Sequence, residues 1–489
     1  MEPLLPLTLQ LPDRRSRTLL RDLHQQLRSA ILDGRLHPGL RLPSTRSFCT
    51  AYGVSRNTAV AAYDLLLSEG YLVARQGSGT RVALTLPKAQ VTIRAGKVRA
   101  ARRRQLVAFW RSARGVETPR EPAAPRWCFR LGVPDAESFP VDVWRRLSIR
   151  ESRSMRTVEG LESDPQGRRA LREAIARHVS FTRAVSCVPE DIIVTAGAQQ
   201  AFGLLARILV TSGRTCVALE DPGYPPLRAA FEAAGSRLAS IPVDQQGIVV
   251  ERLPRSADIV CVTPSHQFPL GCVLSSRRRG ELLDFAQTHG AVILEDDYDG
   301  EFRFTDRPLD ALQTLDRTES VFYAGTFSKS LLPTLRVGFI VSPPWARSAL
   351  LAAKTAADGG CCALIQGVLA ALMSGGHLAR HVRKMQRIYQ RRRHVLLDIL
   401  RRDFSNWLEP VDSQAGLHVA ARLKIPLSDQ SIQATAMQHG VAVRALSAFS
   451  ARRSSTCGLA FGYGAIEEPG ITEGLAVLRR VLSSASRSA

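Results

Sequence analysis

Lys329 sits in the stretch Gly325-Thr326-Phe327-Ser328-Lys329-Ser330, just past the apolar run Val321-Phe322-Tyr323, with Arg336 seven residues further on. A lysine after a strand is commonplace on protein surfaces. An amine flanked by hydroxyls and followed by a guanidinium suits a particular chemistry: the amine bonds an aldehyde cofactor while the other groups hold a phosphate. Four upstream segments end in further groups such a cofactor needs. Asp191-Ile192-Ile193-Val194-Thr195 turns through glycine into a helical stretch, and the unpaired N–H groups there make a phosphate seat at Gly197, Ala198 and Gln199. Any strand-to-helix turn offers as much, so this motif is weak alone. Cys216-Val217-Ala218-Leu219 leads to Tyr224, a stacking face for a flat ring. Ile259-Val260-Cys261-Val262 leads to His266 and Gln267, either of which could reach a phenolic oxygen, although a lone histidine is more often structural. Ala291-Val292-Ile293-Leu294 ends in Glu295-Asp296-Asp297-Tyr298-Asp299. A ring nitrogen that must stay protonated requires a buried carboxylate, a role assigned to Asp296, with Tyr298 bonding the phenolic oxygen. As an isolated acidic turn the segment could hold a metal. Its position ahead of the lysine segment argues against one, and no metal is expected.

These groups stand at the ends of apolar runs that alternate, from about Trp127 onward, with amphipathic stretches. That alternation predicts an α/β domain on a largely parallel sheet.

The first quarter of the chain reads differently. Leu20, Leu23, Leu27, Ala30 and Ile31 recur at helical spacing between Arg17 and Asp33, with Gly34 as a stop. Ser44 can cap a second helix reaching Tyr52; Gly53 breaks it, and Ser55 caps a third from Arg56 to Ser68 with Val60, Tyr63 and Leu67 expected inside. Two short helices joined by a tight glycine turn make a helix-turn-helix, whose second helix meets base edges with its first residues. Tyr71 to Arg75 and Thr80 to Val82 flank Gln76-Gly77-Ser78-Gly79, a hairpin or wing.

Charge agrees with a polyanionic partner for this end. Of the formal net charge of +22, residues 1–86 carry 11 arginines against 6 acids, and residues 87–126 carry 11 basic residues against 2 acids. The latter stretch lacks apolar periodicity, clusters Arg99, Arg102, Arg103 and Arg104, and contains Pro119, Pro122 and Pro125, as an extended tether would. The predicted organisation is a DNA-binding domain over 13–86, a basic linker over 87–126 and a cofactor-binding domain over 127–489. Nine cysteines without metal-ligand spacing read as free thiols in a reducing compartment. Without eighteen consecutive apolar residues or a signal-like start, no membrane association is expected and a cytoplasmic location is.

Residues 17–83, with Arg41-Leu42-Pro43-Ser44-Thr45-Arg46 and Gly77-Ser78-Gly79-Thr80, resemble the winged-helix domain of GntR-type regulators. Thr195 to Gln200, Glu220 to Tyr224, Thr263 to Pro269, Glu295 to Asp299 and Gly325 to Lys329 occur in the order found in fold-type I aminotransferases. Joined on one chain, the two parts resemble the MocR subfamily of GntR-type regulators. The resemblance implies an α+β winged helix-turn-helix followed by an α/β fold-type I aminotransferase-like domain, with pyridoxal 5'-phosphate on Lys329 and Thr326, Ser328 and Arg336 in its phosphate cup. It further implies that Arg41, Ser44 and Arg46 grip phosphates, that Arg56, Asn57 and Thr58 approach the major groove, and that Arg75 and Gly77 lie near the minor groove or backbone. A head-to-tail homodimer, a double-stranded DNA operator and an amine or amino-acid effector complete the expectation. Glu162 departs from the pattern, standing where the family uses a tyrosine toward the neighbouring subunit's phosphate. No arginine is assigned to a substrate carboxylate: Arg444, Arg452 and Arg453 lie in the right region, and Ala448 stands where some members use arginine. Three functions compete: a regulator that senses cofactor or amine, an active aminotransferase with a DNA-binding appendage, and a DNA binder with a cofactor-free scaffold.

Overall fold

The computed structural model describes residues 5, 7, 9–12, 16, 18–75, 79–85, 109–110, 125–155, 164–305, 309–451 and 456–488. The chain divides into two compact units, Met1–Gln105 and Leu106–Ala489.

In the first unit α1 (Leu19–Leu32), α2 (Thr45–Tyr52) and α3 (Arg56–Ser68) precede β1 (Leu72–Arg75) and β2 (Gly79–Val82). Ser44 Oγ accepts from the Ser47 N–H and Ser55 Oγ from the Thr58 N–H, each at 3.1 Å, which satisfies one otherwise unpaired donor at each helix start. Gly53, at φ 67°, ends α2 in the left-handed conformation that a side chain disfavours. Leu23, Leu27, Ala30 and Ile31 of α1 are buried. The inner face of α3 departs from the expected one: Ala59, Ala62, Tyr63 and Leu66 are buried, Leu67 is half-buried and Val60 is exposed. Ala59, Ala62, Tyr63 and Leu66 recur at helical spacing on one face, and Val60 lies off it. The strands pair antiparallel as a wing, with Leu72 opposite Val82 and Arg75 opposite Gly79.

The second unit begins with β3 (Trp127–Cys128), α4 (Val141–Ser154), α5 (Arg169–Arg183), β4 (Ile192–Thr195), α6 (Ala198–Leu209), β5 (Cys216–Asp221) and α7 (Pro225–Ala233). It continues through β6 (Arg237–Asp244), β7 (Gly247–Ile248), β8 (Ile259–Val262), α8 (Ser276–His289), β9 (Val292–Asp297), β10 (Val321–Thr326) and β11 (Gly338–Val341). These eight strands, β4 to β11, form one sheet in the order β4-β11-β10-β9-β8-β5-β6-β7. β6, β5, β8, β9 and β10 are mutually parallel; β11 is antiparallel to both β10 and β4. Two antiparallel steps restore direction, so β4 points the same way as β10, β9, β8 and β5. The carboxyl ends of all five therefore share one edge of the sheet, which brings Thr195, Asp221, Val262, Asp297 and Thr326 together. Helices cover both faces, Phe202 and Leu205 of α6 on one and Leu282 and Ala286 of α8 on the other, and the central strands are accordingly buried along their length.

After α9 (Arg347–Asp358), α10 (Ala363–Ser374) and the long α11 (His377–Asp403) come β12 (Leu408–Pro410), β13 (His418–Leu423), α12 (Asp429–Gln438), β14 (Val441–Ala442), β15 (Arg444–Ala445), β16 (Gly458–Gly462) and α13 (Glu468–Ser488). An antiparallel sheet β12-β13-β16-β15 forms here, while β14 pairs in parallel with β3. Among the described residues no helix is long and apolar enough to cross a membrane.

Candidate functional site

A cavity of about 270 Å³ opens at the shared carboxyl edge of the large sheet. Ala198, Gln199, Tyr224, Asp296, Tyr298, Thr326, Ser328, Lys329 and Arg336 all line it, gathered from four strand ends. Gly197 and His266 stand just outside the wall.

One end of the cavity is built for an anion. Gly197, at φ 78°, caps α6, and a Cβ there would lie 3.0 Å from the Arg336 guanidinium. Arg336, itself at φ 52°, donates from Nη2 to the Ala196 carbonyl at 2.8 Å. Ala198 and Gln199 begin the helix, where N–H groups have no intrahelical acceptor, and the hydroxyls of Thr326 and Ser328 lie 3.0 Å apart beside them. Helix N-terminus, guanidinium and two hydroxyls converge as phosphate recognition requires.

Lys329 Nζ donates to the Gly132 carbonyl at 2.7 Å. Burial holds its ammonium below the usual lysine range, against the opposing pull of Asp299 and Asp296. Gly132 is at φ 66°, a left-handed conformation that side chains disfavour, and a Cβ there would stand 2.5 Å from Nζ and displace the amine.

The pleat of β9 sorts its acids. Glu295 accepts from the Leu312 and Gln313 N–H groups, both at 2.9 Å, and burial pushes it up to about 7. Asp297, two residues on and thus on the same face, accepts from Arg183 Nε at 2.6 Å and the Tyr323 hydroxyl at 2.7 Å. Asp296 faces the cavity. Its Oδ1 is buried with no hydrogen-bond partner among the described residues, and burial, with Asp297 and Asp299 nearby, pushes it up to about 8. An unpartnered buried carboxyl is costly, and a protonated ring nitrogen in the cavity would satisfy it. The donor set thus fits pyridoxal 5'-phosphate at both ends.

Tyr224 packs edge-on against Phe268, with ring centroids 5.2 Å apart, and burial pushes its phenol up to about 12. The expected direct reach of His266 or Gln267 into the cavity is not what the fold provides. Gln267 Nε2 turns away to the Pro222 carbonyl at 2.9 Å and the Phe268 carbonyl at 2.6 Å. His266 is drawn behind Tyr298 by Asp299, whose Oδ2 is 3.0 Å from Nδ1. Sequence reasoning missed Gly132, Phe268 and His418, all on the wall. His418 follows no motif. Burial, His266 and Lys329 hold it well below the ordinary histidine range, and its Nε2 lies 3.0 Å from the Pro269 carbonyl. Nitrogen and oxygen atoms of His266, Asp299 and His418 come within 4.8 Å of one another, but hydrogen bonds already engage a ring nitrogen of each histidine.

In the first unit Arg41, Arg46, Arg56 and Asn57 are exposed, and Ser44 and Thr58 contribute to caps, Thr58 Oγ1 lying 2.8 Å from Ser55 Oγ. Arg41 lies along the wing, its Nε 3.1 Å from where a Gly79 Cβ would be. Arg75 ends β1. Gly77, Glu162, Arg452, Arg453 and the arginine cluster at 99–104 lie outside the described residues.

Comparison with known proteins gives the same two parts. Residues 129–458 match the aminotransferase class I and II family, and residues 19–82 the gntR family of bacterial regulatory proteins. The chain is 38% identical to the probable rhizopine catabolism regulatory protein MocR of Rhizobium meliloti, over 94% of this chain and 92% of that one. It is 32% identical to the HTH-type pyridoxine biosynthesis transcriptional regulator PdxR of Corynebacterium glutamicum, over 91% and 92%. Among solved structures, Pyrococcus horikoshii kynurenine aminotransferase aligns with a TM-score of 0.68 and 26% identity, covering 74% of this chain and 92% of that one. Fold and cavity together define a winged-helix unit joined to a fold-type I aminotransferase-like unit. The chain belongs to the MocR subfamily of GntR-type transcriptional regulators.

Proposed function

We propose that this chain binds an operator in double-stranded DNA through its first unit and holds pyridoxal 5'-phosphate on Lys329 in its second, sensing the cofactor or an amine or amino acid that exchanges with the lysine. The observation that carries the reading is Asp296: a buried carboxyl with an open oxygen, in one cavity with Lys329 and Arg336. When bound, the cofactor supplies an aldehyde that condenses with amines and a ring that takes up electron density. The chain's own groups have separate tasks. Gly197, Ala198, Gln199, Thr326, Ser328 and Arg336 seat the phosphate, Tyr224 packs on the ring, Asp296 keeps the ring nitrogen protonated, and Tyr298 bonds the phenolic oxygen. Lys329, with its proton affinity lowered by burial, gives up its proton more readily to become the free amine that bonds an aldehyde.

Arg41, Ser44 and Arg46 are assigned to phosphates, Arg56, Asn57 and Thr58 to the major groove, and Arg75 and Gly77 to the wing's contact with the minor groove or backbone. The domains are assigned as 13–86, 87–126 and 127–489, and the working assembly as a cytoplasmic head-to-tail homodimer. Absorbance of the purified, cofactor-supplemented chain tests the central assignment. A visible band should appear and be lost in Lys329→Ala with dimer and fold retained. A borohydride-reducible adduct persisting in that variant would remove Lys329 from its role. The complete set around Lys329 also favours a second reading, an aminotransferase tethered to a DNA-binding domain. Steady amino-group transfer between an amino acid and a keto acid would support it.

A further inference from the structure

Behind the cavity wall, Asp299 and His266 meet the tyrosine assigned to the phenolic oxygen. His266 Nδ1 lies 3.0 and 3.2 Å from the two Asp299 carboxylate oxygens and 2.9 Å from the Tyr298 hydroxyl. That hydroxyl also donates to the His266 backbone carbonyl at 2.9 Å. An ionised carboxylate can only accept, so Asp299 selects the tautomer with the proton on Nδ1. The Nδ1–H then points between Asp299 and the Tyr298 oxygen. His266 thus holds the hydroxyl from two sides, accepting at its carbonyl and offering a proton at its ring.

The imidazole also occupies space that two glycines leave open. A Cβ on Gly416, which is at φ 80°, would collide with the His266 ring, and one on Gly271, at φ 84°, would stand 3.2 Å from Nε2. Gly271, in the same loop, and Gly416, from a distant segment, therefore leave the room this ring occupies. Neither His266 nor Asp299 lines the cavity, and each is only 2% exposed.

We propose that Asp299 and His266 form a positioning pair that acts through Tyr298, fixing its hydroxyl and strengthening it as a donor to the phenolic oxygen of the bound cofactor. The inference rests on the cofactor reading above. On binding, the tyrosine proton turns from the His266 carbonyl toward the cofactor oxygen, while Nδ1–H continues to donate to the tyrosine oxygen. A phenol that accepts one hydrogen bond donates a stronger one. The titratable groups facing Tyr298 are Asp299, Asp296, Glu220 and Asp297, and His418 faces His266.

The test uses the full chain loaded with pyridoxal 5'-phosphate and records the balance of the cofactor's absorbing forms across pH. Tyr298→Phe and Asp299→Asn should each raise the transition midpoint. For Asp299→Asn we expect about half a unit or more, roughly a threefold change in proton affinity. The double variant should match Tyr298→Phe alone, because the pair acts only through the phenol. An equal Asp299→Asn rise in the Tyr298→Phe background would overturn the proposal, because the pair would then act without the phenol; a fall in the midpoint would instead mark a direct field effect, since removing an anion disfavours the protonated form, and no shift in the parent background would refute it. His266→Asn and His266→Leu decide the matter should Asp299→Asn fail to fold. The asparagine amide keeps an N–H near Nδ1 and should hold the midpoint, whereas leucine should move it; equal midpoints would overturn the proposal. Failure of the cofactor reading looks different, since the parent chain would then show no Lys329-dependent band.

Discussion

Glu295, Asp296 and Asp297 are three carboxyls in a row, and only the middle one is left without a partner that suits it. That asymmetry gives a pH dependence with a definite sign. Asp296 is raised from the ordinary aspartate value to about 8, so its contribution to stability is fully present below about pH 4. It is lost progressively as pH rises through about 8, because the folded state must then bury a charge that the unfolded chain carries freely. Asp296→Asn removes this cost. In the cofactor-free protein the variant should melt above the parent, with a gap that widens from about pH 5 to about pH 8; Glu220 and Glu295, also raised to about 7, are present in both proteins. The same substitution should weaken cofactor binding by roughly 10- to 100-fold, the loss of a charge-assisted hydrogen bond of about 1.5 to 3 kcal/mol. Thermal scans and cofactor titrations at matched pH check both halves. A variant that melts with the parent at all pH values, or binds cofactor equally well, would show that the open oxygen of Asp296 has another partner.

Elements, more than single side chains, decide what could be read in advance. The cavity-lining groups were legible because a parallel sheet delivers them from the carboxyl ends of its strands, each preceded by an apolar run that marks the strand. Gly132 and His418 reach the same cavity from a loop after β3 and from the start of β13, with no local pattern to announce them. His266 was found as a residue but not as a position, since its orientation depends on Asp299, 33 residues on. In the first unit the caps at Ser44 and Ser55 could be read from residue type and spacing. The buried face of α3 could not, because Ala59 and Ala62 carry little apolar signal yet are buried, while the larger Val60 is exposed. Caps and contacts separate by experiment at this scale. Ser55→Ala removes the acceptor for the Thr58 N–H and should cost about 1 kcal/mol of stability in the first unit. Exposed Arg56→Ala should leave the melting temperature unchanged while losing about 1 to 3 kcal/mol on a specific duplex and little on a random one. Arg41→Ala should weaken both duplexes alike. Gel-shift titrations paired with thermal melts distinguish the three, and equal losses for both arginine variants on both duplexes would dissolve the division of roles.

At the scale of the whole molecule, a DNA-binding unit and a cofactor cavity share one chain, and thermodynamics constrains how they can communicate. If cofactor or amine binding changes affinity for the operator by some factor, the operator must change affinity for cofactor or amine by the same factor. Coupling of this kind commonly amounts to about 5- to 150-fold, which two titrations can resolve. Residues 87–126 are rich in arginine and proline, and a tether of that composition, as proposed above, would let each domain respond without unfolding the other. Titrating pyridoxal 5'-phosphate into the cofactor-free chain with and without operator DNA should therefore give two different dissociation constants. The ratio should equal the one obtained when DNA is titrated with and without cofactor. Lys329→Ala should remove the coupling and leave operator affinity at a single value, if exchange at that amine is, as proposed, the event the second unit senses. Identical cofactor affinities with and without operator would rule out cofactor-linked DNA binding and favour the tethered aminotransferase.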